Sequence, residues 1–197
     1  MSQATVKTAV DSLAAAITDN PKSAQLKYHA EVTWDGDVHC TSKVRNLPPV
    51  PVDEPAAFGG GDAAQSPGDL ILTALGTCQG IMYAALASAM GIELTSYKVK
   101  LEGNLDLHGL FGMGADKGIP PGFQDLSFES IIESPASDEE LRQLVDAVEA
   151  QCPILDTLVR SIPVTGTATI NGKPGDIAAN AAETQSKLDE PNYLIFS

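Results

Sequence analysis

An α+β fold with a mainly antiparallel sheet is what this 197-residue sequence predicts, and three observations predict it. Strand-like and helix-like segments come in groups instead of alternating one by one, which argues against a parallel, doubly wound sheet. A turn signal and a proline-limited stretch set early strands beside one another in antiparallel fashion. No residue from Leu70 to Met90 is charged, so a long helix apolar on nearly all sides runs through the middle of the chain. The length suits one domain with a full-sized core and some terminal extension.

The elements follow in order. Val6, Val10, Leu13 and Ile17 recur at helical spacing, giving an amphipathic helix closed near Asn20-Pro21. The stretch AQLKYHAEVTWDGDVHCTSKVRN alternates as two strands turning at Asp35-Gly36, with Trp34 a packing residue at that turn. LPPVPVDEP is extended, and its prolines suit a sheet edge. AFGGGDAAQS reads as a flexible loop. Ser66-Pro67 starts the long helix and Gly91 stops it.

LTSYKVKLEGNLDL and GFQDLSFESIIES are two further strands. The glycine-rich loop between them is long enough to act as a mobile lid, and its glycines lack the spacing of a dinucleotide cradle. Ser137 and Glu140 form a capping box ahead of a helix whose inner face is Leu141, Leu144, Val145 and Val148. CPILDTLVR continues as a short helix, IPVTGTATING as a last strand, and the chain from Lys173 reads as a polar tail. The domain plan is a helical extension over 1–23, a main domain over 24–172 and a tail over 173–197. A helix apolar all round needs cover on every side; one small sheet covers one side, so a second subunit is expected.

The net charge is −14, with a sequence pI of about 4.4. Such a field repels phosphate backbones and anionic lipid, so neither nucleic acid nor a membrane surface is an expected partner. Polar residues Thr73, Gly76, Thr77, Gln79, Gly80 and Ser88 dilute the uncharged run, and acidic flanks (Asp69, Glu93) replace the basic cluster that orients a membrane span. The N-terminus lacks the pattern of a secretory signal, so a cytoplasmic protein is expected. In a reducing compartment three cysteines are not a disulfide framework.

Cys78 lies in the middle of the dry helix, and Cys152 where one helix ends and the next begins. Burial alone makes a thiol inert, whereas a nearby cation or helix N-terminus yields thiolate. Sequence position leaves two readings open: a redox pair facing across a core, or two independent core cysteines. Cys40 lies beside His39, but His29 and His108 are scattered, so no metal site is expected.

The stretches SPGDLILTALGTCQGIMYAALASAMGIEL, KVKLEGNLDLHGL, PGFQDLSFESIIESPAS and LVDAVEAQCPILDTL resemble the OsmC/Ohr family over roughly residues 26–170. VDEPAAFGG is similar to one OsmC-like subgroup. The resemblance implies an intertwined homodimer and a thiol peroxidase that reduces organic hydroperoxides in oxidative or osmotic stress defence. It assigns Cys78 as the attacking cysteine and Cys152 as the resolving one, joined in a disulfide by turnover and restored by a dithiol reductant such as a lipoyl group. No metal, flavin or other cofactor is implied.

Family members also hold the thiolate with an arginine, and the arginine with an acid. Arg45 is the arginine available in the early strand region, and Asp69 stands in the acidic place of some members. In the peroxidases proper that acid lies one residue earlier, where this chain has Gly68, and the register of Arg45 also departs from theirs. Glu54 could partner Arg45, but an exposed acid beside proline is the simpler reading. Leu75 and Met82, with Phe58 or Phe111 from the loops, would line an apolar approach. The rival reading is a non-catalytic dimer of the same family that binds a small apolar ligand; a stress-related interaction protein is a third.

Overall fold

The computed structural model describes residues 3–113 and 117–175. The chain divides into two compact units, one of Met1–Lys100 with Glu129–Leu155 and one of Leu101–Phe128 with Asp156–Ser197.

In the first unit, helix α1 (Gln3–Asp19) leads through a short 3₁₀ turn to strands β1 (Glu31–Gly36), β2 (His39–Lys43) and β3 (Val50–Val52). These form an antiparallel sheet in the order β1-β2-β3, so the proline-bearing β3 lies at an edge as its missing N–H requires. The hairpin turn falls at Asp37-Val38, not at Asp35-Gly36. A register irregularity between Trp34 and Gly36 carries β1 further, and Gly36 and Asp37 then take positive φ (114° and 49°).

Helix α2 (Pro67–Met90) starts where Ser66-Pro67 predicts and ends at Gly91, whose φ of 74° is the left-handed conformation that a glycine accepts without strain. Its first turn is closed by a capping box. The Ser66 hydroxyl accepts from the Asp69 N–H, and the Asp69 carboxylate accepts from the Ser66 N–H at 2.9 Å and its hydroxyl at 2.8 Å. A cap of this type contributes about 1 kcal/mol.

Helix α4 (Asp138–Gln151) has the expected capping box from Ser137 and Glu140. Its Leu144 and Val148 pack with Tyr83, Ala87 and Ile92 as the core of this unit. The rings of Tyr83 and Tyr97 lie 4.3 Å apart by centroid, and the Tyr97 hydroxyl meets Ser130 Oγ at 3.1 Å. Tyr97 belongs to β4 (Ser96–Leu105) and Ser130 to β5 (Phe123–Glu133). Thr95 N–H donates to the Glu133 carbonyl and Lys100 Nζ bonds Glu129, so the pairing falls as the numbering rises and the two strands run antiparallel.

α2 differs from the expectation of a helix covered on all sides. Its buried residues are Leu75, Gly76, Gln79, Tyr83, Ala87 and Ser88, while Ile71, Ile81 and Met90 on other faces stay open to solvent. By length and composition alone α2 could also cross a bilayer. One chain therefore covers only part of it.

The second unit holds the ends of β4 and β5, where Asn104 Nδ2 donates to Asp125 at 2.8 Å, and the helical turn α3 (Leu107–Leu110). A side chain at Gly109 would overlap the Pro120 carbonyl, so the loop folds tightly at that point. Residues 114–116 of the expected lid lie outside the described residues. Helix α5 (Pro153–Val159) is shared between the units, and Arg160 after it forks onto Asp156. β6 (Ala168–Ile170) pairs antiparallel with β7 (Lys173–Gly175) through Asn171-Gly172, both at positive φ. Lys173 thus opens a strand and not the tail; residues 176–197 of the expected tail lie outside the described residues.

Candidate active site: a cysteine pair on two packed helices

Cys78 and Cys152 are 74 residues apart in sequence, and the packing of α2 on α4 brings their sulfurs to 3.4 Å, with Cys152 donating. Both thiols are free. A covalent S–S bond is about 2.05 Å long, so the two thiols are in contact and not bonded. The fold therefore brings the two cysteines together, where sequence position left their proximity open.

The two sulfurs are not equivalent. Cys152, which caps the C-terminus of α4, is 1% exposed, whereas Cys78 is half-buried. Burial pushes the Cys78 thiol up, and the neighbouring Cys152 pushes it further. The backbone N–H of Ile154, in the first turn of α5, opposes this by hydrogen-bonding the sulfur.

Arg45 sits in the exposed turn after β2 at a φ of 52°, and among the described residues it makes no ion pair with Glu54. Asp69 is engaged in the capping box, and its bonds to Ser66 hold its carboxyl below the ordinary aspartate value. Neither is among the groups that shift Cys78. Leu75 is fully buried, and the partly buried Met82 packs against the core cluster. Phe58 is partly exposed on its loop, and Phe111 belongs to the second unit.

Cys40 is half-buried on β2 between Trp34 and Val52. His108 pairs with Asp106 at 2.8 Å. Among the described residues no group of three or more His, Cys, Asp or Glu side chains is placed to hold a metal ion.

Two residues that sequence reasoning passed over stand out. Asp53 is 1% exposed, yet its oxygens accept from the N–H groups of Glu54 (2.7 Å), Gly61 (3.0 Å) and Ala63 (3.0 Å) and face His39 Nδ1 at 3.1 Å. The loop expected to be flexible is thus clasped around one carboxylate. A Cβ at Gly60 would collide with the Glu54 carbonyl, which is why glycine stands there. These N–H donors hold the Asp53 pKa down, Ala63 most strongly. Its contribution is then present above the ordinary aspartate pKa and is lost as pH falls through the lower folded value. Asp53→Asn is expected to unfold at lower temperature than the parent at pH 7, with the gap narrowing in acid. A gap independent of pH in thermal melts would refute the clasp.

The second is Gln79, next to Cys78. It is fully buried, and neither its amide nitrogen nor its amide oxygen has a hydrogen-bond partner.

The family model for the OsmC-like protein matches residues 59–166, more than half of the chain and inclusive of both cysteines. The chain belongs to the OsmC-like family. No curated protein matches it. Among solved structures, the OsmC-like protein of Mycoplasma pneumoniae aligns at a TM-score of 0.59 and 19% identity, covering 68% of this chain and 89% of that one. An organic hydroperoxide resistance protein OsmC from Legionella pneumophila aligns at 0.52 and 18%, covering 68% and 89%. A Vibrio cholerae protein described as an organic hydroperoxide resistance protein, solved with captopril bound in one active site, aligns at 0.50 and 20%, covering 76% and 96%. At these identities the likeness shows the OsmC-like fold. The matched segment of this OsmC-like protein excludes α1 and the β1–β3 sheet.

Proposed function

We propose that this OsmC-like protein is a dithiol hydroperoxide reductase acting on organic hydroperoxides. The observation that carries the reading is the 3.4 Å approach of Cys78 and Cys152 across two packed helices. The difference in burial supports their roles, because Cys152 is fully buried and Cys78 only half-buried. Relatives named for organic hydroperoxide resistance support the substrate class.

In the proposed cycle the Cys78 thiolate attacks the distal peroxide oxygen. The O–O bond breaks, an S–O bond forms, and the alkoxide takes up the proton that the thiol released, leaving as alcohol. The Cys152 sulfur then attacks the sulfenic acid, hydroxide leaves and is protonated to water, and a disulfide forms. An external dithiol, of which a lipoyl group is one candidate, returns both thiols.

Formation of the Cys78 thiolate works against the burial that raises its pKa. The Ile154 N–H supplies one stabilising contact; Arg45, exposed in the turn after β2, is not among the groups that act on Cys78 within one chain. Asp69, on this account, anchors the first turn of the helix that bears Cys78. The reading is tested by following loss of cumene hydroperoxide in the presence of a dithiol. Consumption catalysed by the protein is expected; none would leave the ligand-binding alternative.

We also propose a homodimer. Ile81 on α2 is 67% exposed, and Trp34 on β1 is 69% exposed, with Val32 and Tyr28 open beside it. A second copy covering such faces would bury on the order of 2,000 Å² or more, the range of obligate dimers. Sedimentation at micromolar concentration is expected to give a dimer, and a folded monomer there would defeat the proposal.

A further inference from the structure

Gln79 is the one residue with orphaned buried side-chain atoms among those described, and it stands next to the attacking cysteine. Leaving an amide without partners in a dry core is costly, and an apolar side chain of similar size avoids the cost entirely.

Its position in the packing is informative. Leu75, Gln79, Tyr83 and Ala87 form an i, i+4 row along α2, all buried. Leu144, Val148 and Cys152 form the corresponding row at α4. Tyr83 and Ala87 join Leu144 and Val148 in one cluster, and Cys78 meets Cys152 one turn further on. The same progression brings Gln79 to the level of the two sulfurs. A buried amide with a free donor and a free acceptor is therefore one residue from the attacking cysteine, on the helix row that leads towards Cys152.

Resting on the peroxidase reading, we propose that the Gln79 carboxamide is the hydrogen-bond partner of the oxygen that Cys78 acquires from the hydroperoxide. In the step itself sulfur bonds the distal oxygen, the O–O bond breaks and the alcohol leaves with the proton from the thiol. The oxygen retained on sulfur is the group the amide nitrogen donates to. With both cysteines as thiols no such oxygen is present, and the amide stays unpartnered. Gln79 thus lowers the stability of the resting fold and favours the oxidised intermediate.

The test compares Cys152→Ser with the double variant Cys152→Ser/Gln79→Met, because without Cys152 the sulfenic acid accumulates. One equivalent of cumene hydroperoxide is added, sulfenic acid is trapped with a dimedone-type reagent and read by mass, and thermal melts are recorded separately on the reduced proteins before any peroxide is added. In the double variant, which lacks the amide donor, sulfenic acid is expected to form about 10-fold more slowly. Its melting temperature is expected to rise by about 3 °C. An unchanged rate would overturn the inference. So would a lowered melting temperature, which would mean that the amide is a satisfied structural group. If Cys152→Ser itself forms no sulfenic acid, the peroxidase reading fails first and takes this inference with it; a normal rate in both proteins sinks the inference alone.

Discussion

Cys78→Ser is expected to reduce hydroperoxide consumption to background while the protein keeps its fold. Serine preserves the shape of the side chain at a position where Cys78 is half-buried, so packing of α2 changes little. What disappears is the nucleophile: an alcohol beside a dry core does not ionise near neutral pH, and oxygen does not form the sulfenic intermediate. Cys40→Ser is the control. Cys40 lies on the β1–β3 sheet, opposite Trp34 and Val52, and no step of the proposed cycle uses it. Activity close to the parent is expected for it. Equal loss in both variants, measured as peroxide consumption with a dithiol present, would move the chemistry away from Cys78.

Cys152→Ser is expected to give the second large effect, of a different kind. The first equivalent of peroxide still reacts, since Cys78 remains accessible. The sulfenic acid then has no thiol at 3.4 Å to condense with. A second peroxide converts it to sulfinic acid, which a dithiol does not reverse. Turnover should stop after about two equivalents of peroxide, with two oxygens retained at Cys78 by peptide mass. Sustained turnover in this variant would show that another thiol resolves the intermediate, or that the reductant acts directly on it.

Much of this fold was legible because its signals are local. Ser137 with Glu140, Ser66-Pro67 and Gly91 mark helix ends through contacts within a few residues, and α4, α2 and their boundaries follow. The edge position of β3 follows from prolines that cannot donate to a ladder. The hairpin turn was displaced because a strand irregularity after Trp34 cannot be read from alternation alone. The strand at Lys173 was hidden because Lys173-Pro174-Gly175 is too short to show alternation, its pairing to Ala168–Ile170 being set by Asn171-Gly172.

The site divides in the same way. Each cysteine could be placed on its helix, but their meeting across 74 residues is a property of helix packing, for which one sequence carries no spacing rule. The resemblance supplied the pairing; the structure supplies the distance. Asp53 was invisible because its donors at Gly61 and Ala63 reach it only when the loop closes. The triple glycine of AFGGGDAAQS was the available signal, and a reading as flexible chain missed that glycine also permits close backbone approach. Gln79 carried no signal at all, since one amide in an apolar helix reads as simple dilution.

At the centre of the proposed cycle, Cys78 and Cys152 exchange a peroxide oxygen for a disulfide within one chain. The most direct measurement is the intact mass of the reduced protein after one equivalent of cumene hydroperoxide, followed by peptide mapping without reductant. The predicted result is the loss of two hydrogens and a single cross-linked peptide pair joining Cys78 to Cys152. An unchanged mass, or an oxygen retained on a protein whose Cys78 and Cys152 peptides remain separate, would contradict it.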